Sequence, residues 1–386
     1  MDEIIKSIMI KIATDFSGVG SPETALKRLG IEHEVVFACD IDKSARTSYQ
    51  ALHNPKQMFE DITTRPMDFP QLDLYVAGFP CQSFSTAGKR KGFDCPTNGT
   101  LFHTLSEFIR INQPKCFILE NVKGLINHDN GRTFQIIKDK LSGSGGSVNE
   151  QMFLTDIDGL GYHIYFKVLN TKDFGLPQNR ERIFIVGFKD ARQFSFPNKI
   201  KLDKRLKDIL QDEVAEKYYL SDKKIESFKL KTKIENLVDD VIVHSTHTRS
   251  SDRPSIQKNK NAGGSGHLSK SDGLTYCLDT QNSQAVEVKR LNAPLESGKQ
   301  PSQPDRIYDV EGINPTLTTI WNGANLVNTT RIRRLKPLEC FRLQGFTDEE
   351  HSICEEVQSD RQLYKQMGNT ISVPVIQAIL KNIYNA

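Results

Sequence analysis

Short apolar runs alternate with amphipathic segments through the first half of this 386-residue chain. Six runs are rich in β-branched and aromatic residues, as strands require, and they cover residues 8–16, 34–40, 72–79, 115–121, 163–170 and 182–188. Helical spacing or helix start and stop signals mark the segments 21–30, 43–53, 99–112 and 132–141. This alternation predicts right-handed crossovers and a mostly parallel sheet with helices on both faces. The expected fold class is α/β.

The alternation stops near residue 200, where lysines mix with acids. The stretch 244–285 is polar and rich in glycine and serine, so its composition fits either disorder or loops that face a ligand. Apolar residues return at 332–346, and residues 372–384 are spaced like a short amphipathic helix. These changes predict a second, irregular domain at roughly 200–365.

Composition narrows the class of protein. The formal net charge is only +3, so a nucleic-acid partner would have to be held by local basic patches. Apolar runs are too short to span a bilayer, and the first residues do not resemble a secretory signal, which favours an intracellular protein. Seven cysteines without a C-x-x-C pair argue against a disulfide framework and a structural zinc site, and no metal is expected.

Glycines and an acid follow the first two predicted strands. Gly18 and Gly20 lie in DFSGVGSPETAL and can bring backbone N–H groups close to a ligand at a helix N-terminus. Asp40 ends the next strand, about twenty residues further on, where an acid can accept hydrogen bonds from ribose hydroxyls. A purely structural turn explains the glycines equally well. Glu23 stands where a dinucleotide fingerprint needs a third glycine, and its charge would repel a pyrophosphate.

Two further strand ends carry reactive side chains. Cys81 follows Pro80 in a polar segment with Lys89, Arg90 and Lys91, and nearby positive charge favours a thiolate. A buried structural thiol is the ordinary alternative. Glu120 ends another strand in ENVKG, where a solvated acid is equally expected.

Arg180 and Arg182 stand two residues apart at the start of the last strand, so they point to one face. That arrangement suits the clamping of a phosphate or a carboxylate. A pair of surface arginines is the ordinary alternative.

In this order, the motifs resemble those of the bacterial and phage DNA (cytosine-C5) methyltransferases. The matching blocks are DFSGVGS, CDID, EDIT, GFPCQSFSTAGKRKGF, ENVKG, QNRER, RRLKPLECFRLQGF and QMGNTISVPV, and they span residues 15–377. The resemblance implies a Rossmann-like S-adenosylmethionine-dependent methyltransferase sheet with a smaller, irregular target-recognition domain. It places residues 1–199 and 366–386 in the catalytic domain and residues 200–365 in the recognition domain and hinge.

The resemblance also implies the reaction. Cys81 would add to carbon 6 of a cytosine flipped out of double-stranded DNA, and carbon 5 would then accept a methyl group from S-adenosylmethionine, leaving S-adenosylhomocysteine. Glu120 would donate a proton to N3, which predicts a raised pKa for this carboxyl. Arg182 would lie near the cytosine carbonyl, and Arg180 would order the site.

Other family positions carry over by similarity. The cofactor positions are Phe16, Ser17, Gly18, Val19, Gly20, Asp40, Ile41, Asp61, Ile62, Gly78, Pro80, Asn369 and Thr370. The DNA-contact positions are Gln82, Ser85, Lys89, Arg90 and Lys91, on a loop expected to close over the duplex. The chain departs from the family at Asn98, which stands where an arginine is usual, and at Ile41, which offers only aliphatic contact to an adenine.

The resemblance leaves partners and two alternatives open. It implies a monomer in the cytoplasm of a bacterium or a phage-infected host, associated with the nucleoid, and allows a cognate restriction endonuclease in the same system. The alternatives are a tRNA cytosine-C5 methyltransferase and a catalytically silent DNA-binding relative, although a silent relative would be expected to lack Cys81 or Glu120. A dinucleotide-dependent oxidoreductase is disfavoured by the missing third glycine.

Overall fold

The computed structural model describes residues 9–80, 98–143, 146–149, 151–152, 158–219, 221, 307–309, 314–315, 317, 326–328 and 332–385. Cys81 with the loop that follows it, and most of the segment expected to recognise DNA, lie outside these described residues. The described part contains the complete set of strands that the sequence predicted, together with their connecting helices.

One large sheet organises the described residues. Its strands are β1 (Ile10–Asp15), β2 (His33–Cys39), β3 (Met58–Phe59), β4 (Leu74–Gly78), β5 (Cys116–Val122), β6 (Ser147–Val148), β7 (Gln151–Met152), β8 (His163–Asn170) and β10 (Glu181–Phe188). The strand order is β3-β2-β1-β4-β5-β10-β8-β6-β7. Five short strands form the remaining pairings among the described residues: β9 (Gln178–Asn179) pairs with β12 (Asn314–Pro315), and β11 (Ile307–Asp309) with β13 (Leu326–Asn328), which pairs in turn with β14 (Ile332–Arg334). The α/β class is confirmed.

The longest parallel part of the sheet is formed by its first five strands, and the two-residue strand β6 is also parallel to β8. Strands β3, β2, β1, β4 and β5 run parallel, whereas β10 is antiparallel to both β5 and β8. The connection from β8 to β10 holds only a 3-10 turn (Thr171–Phe174) and β9. Such a link is too short for the crossover that a parallel pair requires. The prediction of a mostly parallel sheet therefore holds up to β5, and β10 reverses the direction.

Helices cover both faces of the sheet. They are α1 (Ser21–Arg28), α2 (Lys43–Leu52), α3 (Asn98–Asn112), α4 (Arg132–Leu141), α5 (Pro337–Gln344), α6 (Asp348–Val357), α7 (Asp360–Asn369) and α8 (Val373–Tyr384). Alternate residues of β1 feed two hydrophobic clusters, with Ile12 in one and Ala13 in the other. The Ile12 cluster includes side chains of α1, α5, α7 and α8, and the Ala13 cluster includes those of α3 and α4. Helices from the end of the chain thus complete the layer that begins with α1.

A buried ion pair fastens α5 to the segment before it. Arg333 donates to both carboxylate oxygens of Glu339, at 2.9 and 2.8 Å, and the two side chains are 2% and 0% exposed. Glu339 also accepts hydrogen bonds from the backbone N–H groups of Lys336 and Gln211, at 2.7 and 2.9 Å. One carboxylate therefore joins residue 211 to residues 333 and 336, which lie far from it along the chain within the segment 200–365 assigned to recognition and hinge.

Replacing Arg333 with methionine should lower the free energy of unfolding by about 3–5 kcal/mol, because Glu339 would remain buried without its cation. Urea denaturation of the full chain measures this loss. Arg342→Met is the matched control, since Arg342 pairs with Asp348 where the side chains are 28% and 57% exposed. The control should lose about 1 kcal/mol or less. Equal losses in the two variants would contradict the assigned role of the Arg333–Glu339 pair.

Candidate functional site

The ends of five parallel strands meet at one edge of the sheet. The pairings place Asp15 beside Cys39 and Ala77, Cys39 beside Phe59, and Gly78 beside Glu120. Residues that follow these strands therefore line one edge, as expected for a ligand site in an open α/β sheet. This edge brings together the predicted residues at 16–20, 40–41, 61–62, 78–80 and 120.

The turn after β1 has a left-handed backbone at three positions, Phe16, Gly18 and Gly20, with φ of 53°, 56° and 80°. A Cβ on Gly20 would lie 2.3 Å from the ring of His53, so only glycine fits there. Nε2 of His53 donates to the carbonyl of Val19 at 3.1 Å, because that carbonyl can only accept. Burial lowers the pKa of His53 to about 3, which keeps the ring neutral. The His53 ring thus packs against the glycine turn and is hydrogen-bonded to it.

The two glycine amides bond within the protein. The N–H of Gly18 donates to Oδ2 of Asp40 at 2.9 Å, and the N–H of Gly20 donates to the carbonyl of Ser17 at 3.0 Å. The sequence predicted that these amides would lie close to a ligand. In the structure they shape the turn and connect it to Asp40.

Asp40 and Ile41 present an oriented carboxylate and an exposed apolar side chain at this edge of the sheet. Oδ1 of Asp40 accepts from the N–H of Asp42 at 2.9 Å, so two backbone amides, from Asp42 and Gly18, orient the carboxylate. Burial raises the pKa of Asp40, although the two backbone hydrogen bonds oppose the shift. Each oxygen retains acceptor capacity for a hydroxyl. Ile41 beside it is 67% exposed and offers an apolar surface to a ring.

Other predicted cofactor residues differ in what they present. Val19 and Ile62 are buried, at 0% and 5% exposure, and their side chains belong to the two hydrophobic clusters. Ser17 is also buried, at 9% exposure. Oδ1 of Asp61 accepts from both the N–H and the hydroxyl of Thr63 at 2.8 Å. These positions can therefore present to a ligand their backbone groups and the half-buried carboxylate of Asp61.

Glu23 does not face the pocket. Its side chain lies at 0% exposure in the first turn of α1, and burial raises its pKa. The repulsion of a pyrophosphate inferred from the sequence assumed an acid exposed to the ligand, whereas both carboxyl oxygens of Glu23 are buried. The missing third glycine still counts against the oxidoreductase alternative.

Glu120 and Arg182 face each other across β5 and β10. Nε of Arg182 lies 3.2 Å from Oε1 of Glu120, and the two side chains are 18% and 10% exposed. Burial raises the pKa of Glu120, while the charges of Arg182 and Arg180 oppose the shift without cancelling it. A Cβ on Gly78 would lie 3.6 Å from Oε2 of Glu120, so the end of β4 closely approaches this carboxyl.

Asn121 holds the strand end that leads to Cys81. Its Nδ2 donates to the carbonyl of Phe79 at 3.1 Å, and its Oδ1 accepts from the N–H of Val122 at 2.8 Å. Phe79 is buried and Pro80 half-buried. Sequence analysis missed Asn121, although its place directly after Glu120 was visible in ENVKG.

Arg180 binds backbone rather than a ligand. It is 2% exposed and donates to the carbonyls of Gly368 and Thr370 at 3.2 and 2.8 Å. Burial lowers its pKa to about 9, so the guanidinium stays charged at neutral pH. Arg182 contacts Glu120, and Arg180 binds the backbone of the segment after α7. The charges of both arginines act on the Glu120 carboxyl, so the two side chains lie near the same group although they bind different partners.

The segment after α7 reaches the sheet edge through Ser21. The Ser21 hydroxyl donates to the carbonyl of Ile371 at 2.7 Å, so the Thr370 hydroxyl donates to Ser21 Oγ at 3.0 Å. The Thr370 side chain is buried, whereas Asn369 is exposed. Sequence analysis predicted Asn369 and Thr370 but missed Ser21, whose position as the first residue of α1 suggested only a helix start.

Several predictions fall outside the described residues. Cys81 and the DNA-contact candidates Gln82, Ser85, Lys89, Arg90 and Lys91 all lie there. Among the residues that the structure does describe, no cluster of acids, histidines and cysteines could hold a metal ion. Within the same part of the chain, no helix is long and apolar enough to cross a membrane.

A partly parallel open sheet, with its glycine turn and acidic strand ends at one edge, defines the Rossmann-like methyltransferase class. The chain belongs to the C-5 cytosine-specific DNA methylase family, whose model matches residues 10–385. It is thus an enzyme of the DNA (cytosine-5) methyltransferase class, and family membership implies S-adenosylmethionine as methyl donor.

Individual relatives agree over nearly the full chain. The orphan methyltransferase M.SPRI of Bacillus phage SPR is 34% identical, with 97% of each chain covered. The type II methyltransferase M.HpaII of Haemophilus parainfluenzae is 35% identical, covering 95% of this chain and 87% of the relative. The crystal structure of S. pombe Dnmt2 methyltransferase superposes with a TM-score of 0.62 at 16% identity, covering 97% of this chain and 98% of that one, which supports the fold.

Proposed function

We propose that the protein transfers a methyl group from S-adenosylmethionine to carbon 5 of a cytosine flipped out of a specific double-stranded DNA sequence. The observation that carries this proposal is the state of Glu120, a buried carboxyl with a raised pKa that contacts Arg182. A protonated acid at this position can donate to a ring nitrogen. The strand that precedes Cys81 ends beside this carboxyl.

The cofactor would lie at the carboxyl ends of β1 to β4, where it supplies the methyl group. Asp40 would accept from the ribose hydroxyls, Ile41 would pack on the adenine, and Asp61 would accept from its amino group. The remainder of the cofactor site would be lined by Phe16, the turn at 18–20, Gly78, Pro80 and Asn369. Thr370 would act through its bond to Ser21.

Cys81 would start the reaction as a thiolate. Its sulfur would form a bond to carbon 6 of cytosine, which makes carbon 5 nucleophilic toward the methyl group. After methyl transfer, loss of the carbon 5 proton to a base would restore the double bond and expel the thiolate. The thiol is thereby regenerated and no other oxidant or reductant is needed.

Glu120 would neutralise the ring during this addition. Negative charge develops on the ring as sulfur adds, and the carboxyl would donate its proton to N3 and recover it on elimination. Arg182 would keep contact with Glu120 and approach the cytosine carbonyl oxygen. Arg180 would position both by fixing residues 368 and 370.

DNA would be bound by the loop after Cys81 and by the recognition region. Gln82, Ser85, Lys89, Arg90 and Lys91 would contact the flipped nucleotide and its phosphates. We assign residues 1–199 and 366–386 to catalysis and 200–365 to recognition and hinge. The working form would be a monomer associated with the nucleoid in the cytoplasm of a bacterium or of a phage-infected host, with or without a cognate restriction endonuclease.

Mapping methylated cytosines tests the proposal directly. DNA and tRNA from cells that express the full chain should be compared by bisulfite sequencing with material from cells carrying an empty vector. We expect 5-methylcytosine in DNA at one short recurrent sequence and none gained in tRNA. New methylation in tRNA alone would favour the tRNA alternative, and no gain in either would favour a silent DNA-binding relative.

A further inference from the structure

Asp15 and Arg65 form a fully buried ion pair next to the edge of the sheet at which β1 to β4 end. Arg65 donates from Nε to Oδ1 of Asp15 at 2.9 Å and from Nη2 to Oδ2 at 2.5 Å. Both side chains are 0% exposed. A two-point contact between a guanidinium and a carboxylate fixes orientation as well as distance.

Buried neighbours hold the pair on every side. The Tyr75 hydroxyl donates to Oδ2 of Asp15 at 2.5 Å, and Arg65 lies 4.8 and 4.1 Å from the ring centroids of Phe37 and Phe108. Burial lowers the pKa of Arg65, but its hydrogen bonds to Asp15 and the charge of Asp15 outweigh this, and the net shift is upward. Arg65 is therefore charged, and its guanidinium lies against two aromatic rings.

The pair connects segments that carry separate parts of the cofactor site. Asp15 directly precedes Phe16, whose left-handed backbone starts the glycine turn. Arg65 ends the turn that begins at Asp61, where its N–H donates to the Asp61 carbonyl at 3.0 Å. The carbonyl of Cys39, next to Asp40, accepts from the N–H of Ser17 at 3.0 Å. Fixing Asp15 against Arg65 thus fixes the distance between the expected adenine contacts at 16 and at 61.

Burying two charges is costly, and apolar residues of similar size often replace such pairs without loss of stability. Stability alone therefore gives little reason for a charged pair here. The geometry of the site gives a reason for the charged pair. Two loops that contact one ligand must be held at a fixed distance from each other.

We propose that Asp15 and Arg65 are positioning residues that set the width of the adenine end of the cofactor site. The proposal rests on the proposed function, in which that edge binds S-adenosylmethionine. Neither residue touches the cofactor, and both act through Phe16 and Asp61. The residues at 15 and 65 would therefore govern cofactor affinity and leave the rate of the chemical step nearly unchanged.

The test measures the affinity of the full-length protein for S-adenosylhomocysteine by calorimetry, and KM and kcat for S-adenosylmethionine at saturating DNA. Arg65→Met should raise Kd and KM roughly ten- to hundredfold, with kcat within about threefold. Arg65→Lys keeps the charge but loses the two-point contact and should show an intermediate rise. The double variant Asp15→Leu with Arg65→Met removes the unpaired charge, so it should refold while its Kd stays raised.

Arg333→Met is the matched control, because it breaks a buried arginine–carboxylate pair outside the sheet edge. It should lower stability and leave Kd within about twofold of the wild type. A purely structural role for Arg65 would lower the active fraction, and hence kcat, without raising KM, and would overturn the proposal. So would a double variant with wild-type Kd. If wild-type protein fails to bind S-adenosylhomocysteine, the cofactor site itself is wrong and the proposal falls with it.

Discussion

Replacing Cys81 with alanine should abolish methyl transfer to DNA and covalent trapping on 5-fluorocytosine. The thiolate supplies the bond to carbon 6, without which carbon 5 is not nucleophilic, so we expect a loss of about 10⁴-fold or more. With fluorine at carbon 5, no proton can leave after methylation and the sulfur–carbon bond persists. A duplex with 5-fluorocytosine at the mapped target, incubated with S-adenosylmethionine, should therefore yield an adduct of protein and DNA visible by denaturing electrophoresis.

Cys95→Ala is the matched control, since this second cysteine lies in the same sequence segment. The control should still form the adduct, and peptide mapping should place it on residue 81. Adduct formation by Cys81→Ala, or an adduct mapped to another cysteine, would remove the covalent mechanism while leaving family membership intact.

Replacing Glu120 with glutamine should reduce the single-turnover rate by about 10²- to 10⁴-fold. The amide can still donate a hydrogen bond to N3 but cannot transfer a proton to the ring. Burial raises the pKa of Glu120, so its proton is held at pH values where an ordinary glutamate has lost it. The wild-type rate should therefore fall as pH rises through the raised pKa of Glu120. This fall should be absent in Glu120→Gln.

Glu181→Gln provides the control for Glu120. Glu181 starts the strand that carries Arg182, but its side chain is 37% exposed and pairs with Lys123 at 3.2 Å. Its loss should change the rate by no more than about threefold, since exposed pairs contribute little. Equal pH profiles for wild-type protein and Glu120→Gln would show that Glu120 is not the proton donor.

Local sequence patterns predicted much of the fold. β-branched and aromatic runs identified the six long strands, and apolar spacing identified α1 to α4 and α8, because these signals depend on neighbours in sequence. The reversal at β10 escaped prediction, since it depends on the short connection through residues 171–180. The sheet edge was predictable once the strands were identified, because neighbouring parallel strands end at the same edge of a sheet.

Contacts between distant segments were not predictable. Nothing near Arg65 in sequence indicates that it meets Asp15, and the role of Ser21 depends on Thr370, 349 residues away. Glu23 was misread because burial, which decides whether an acid carries charge, is set by Tyr49 and the surrounding core. The backbone partners of Arg180 at residues 368 and 370 were not predictable, since only the folded chain places them beside it.

The bond between Ser21 and Thr370 has a consequence for synthesis. A ribosome makes residues 15–41 well before their partners at 368–371. A nascent chain that has not reached residue 371 lacks the bond between Ser21 and Thr370 and the carbonyls that anchor Arg180. Under the proposed function, methylating activity would therefore appear only after the segment assigned to recognition has been made.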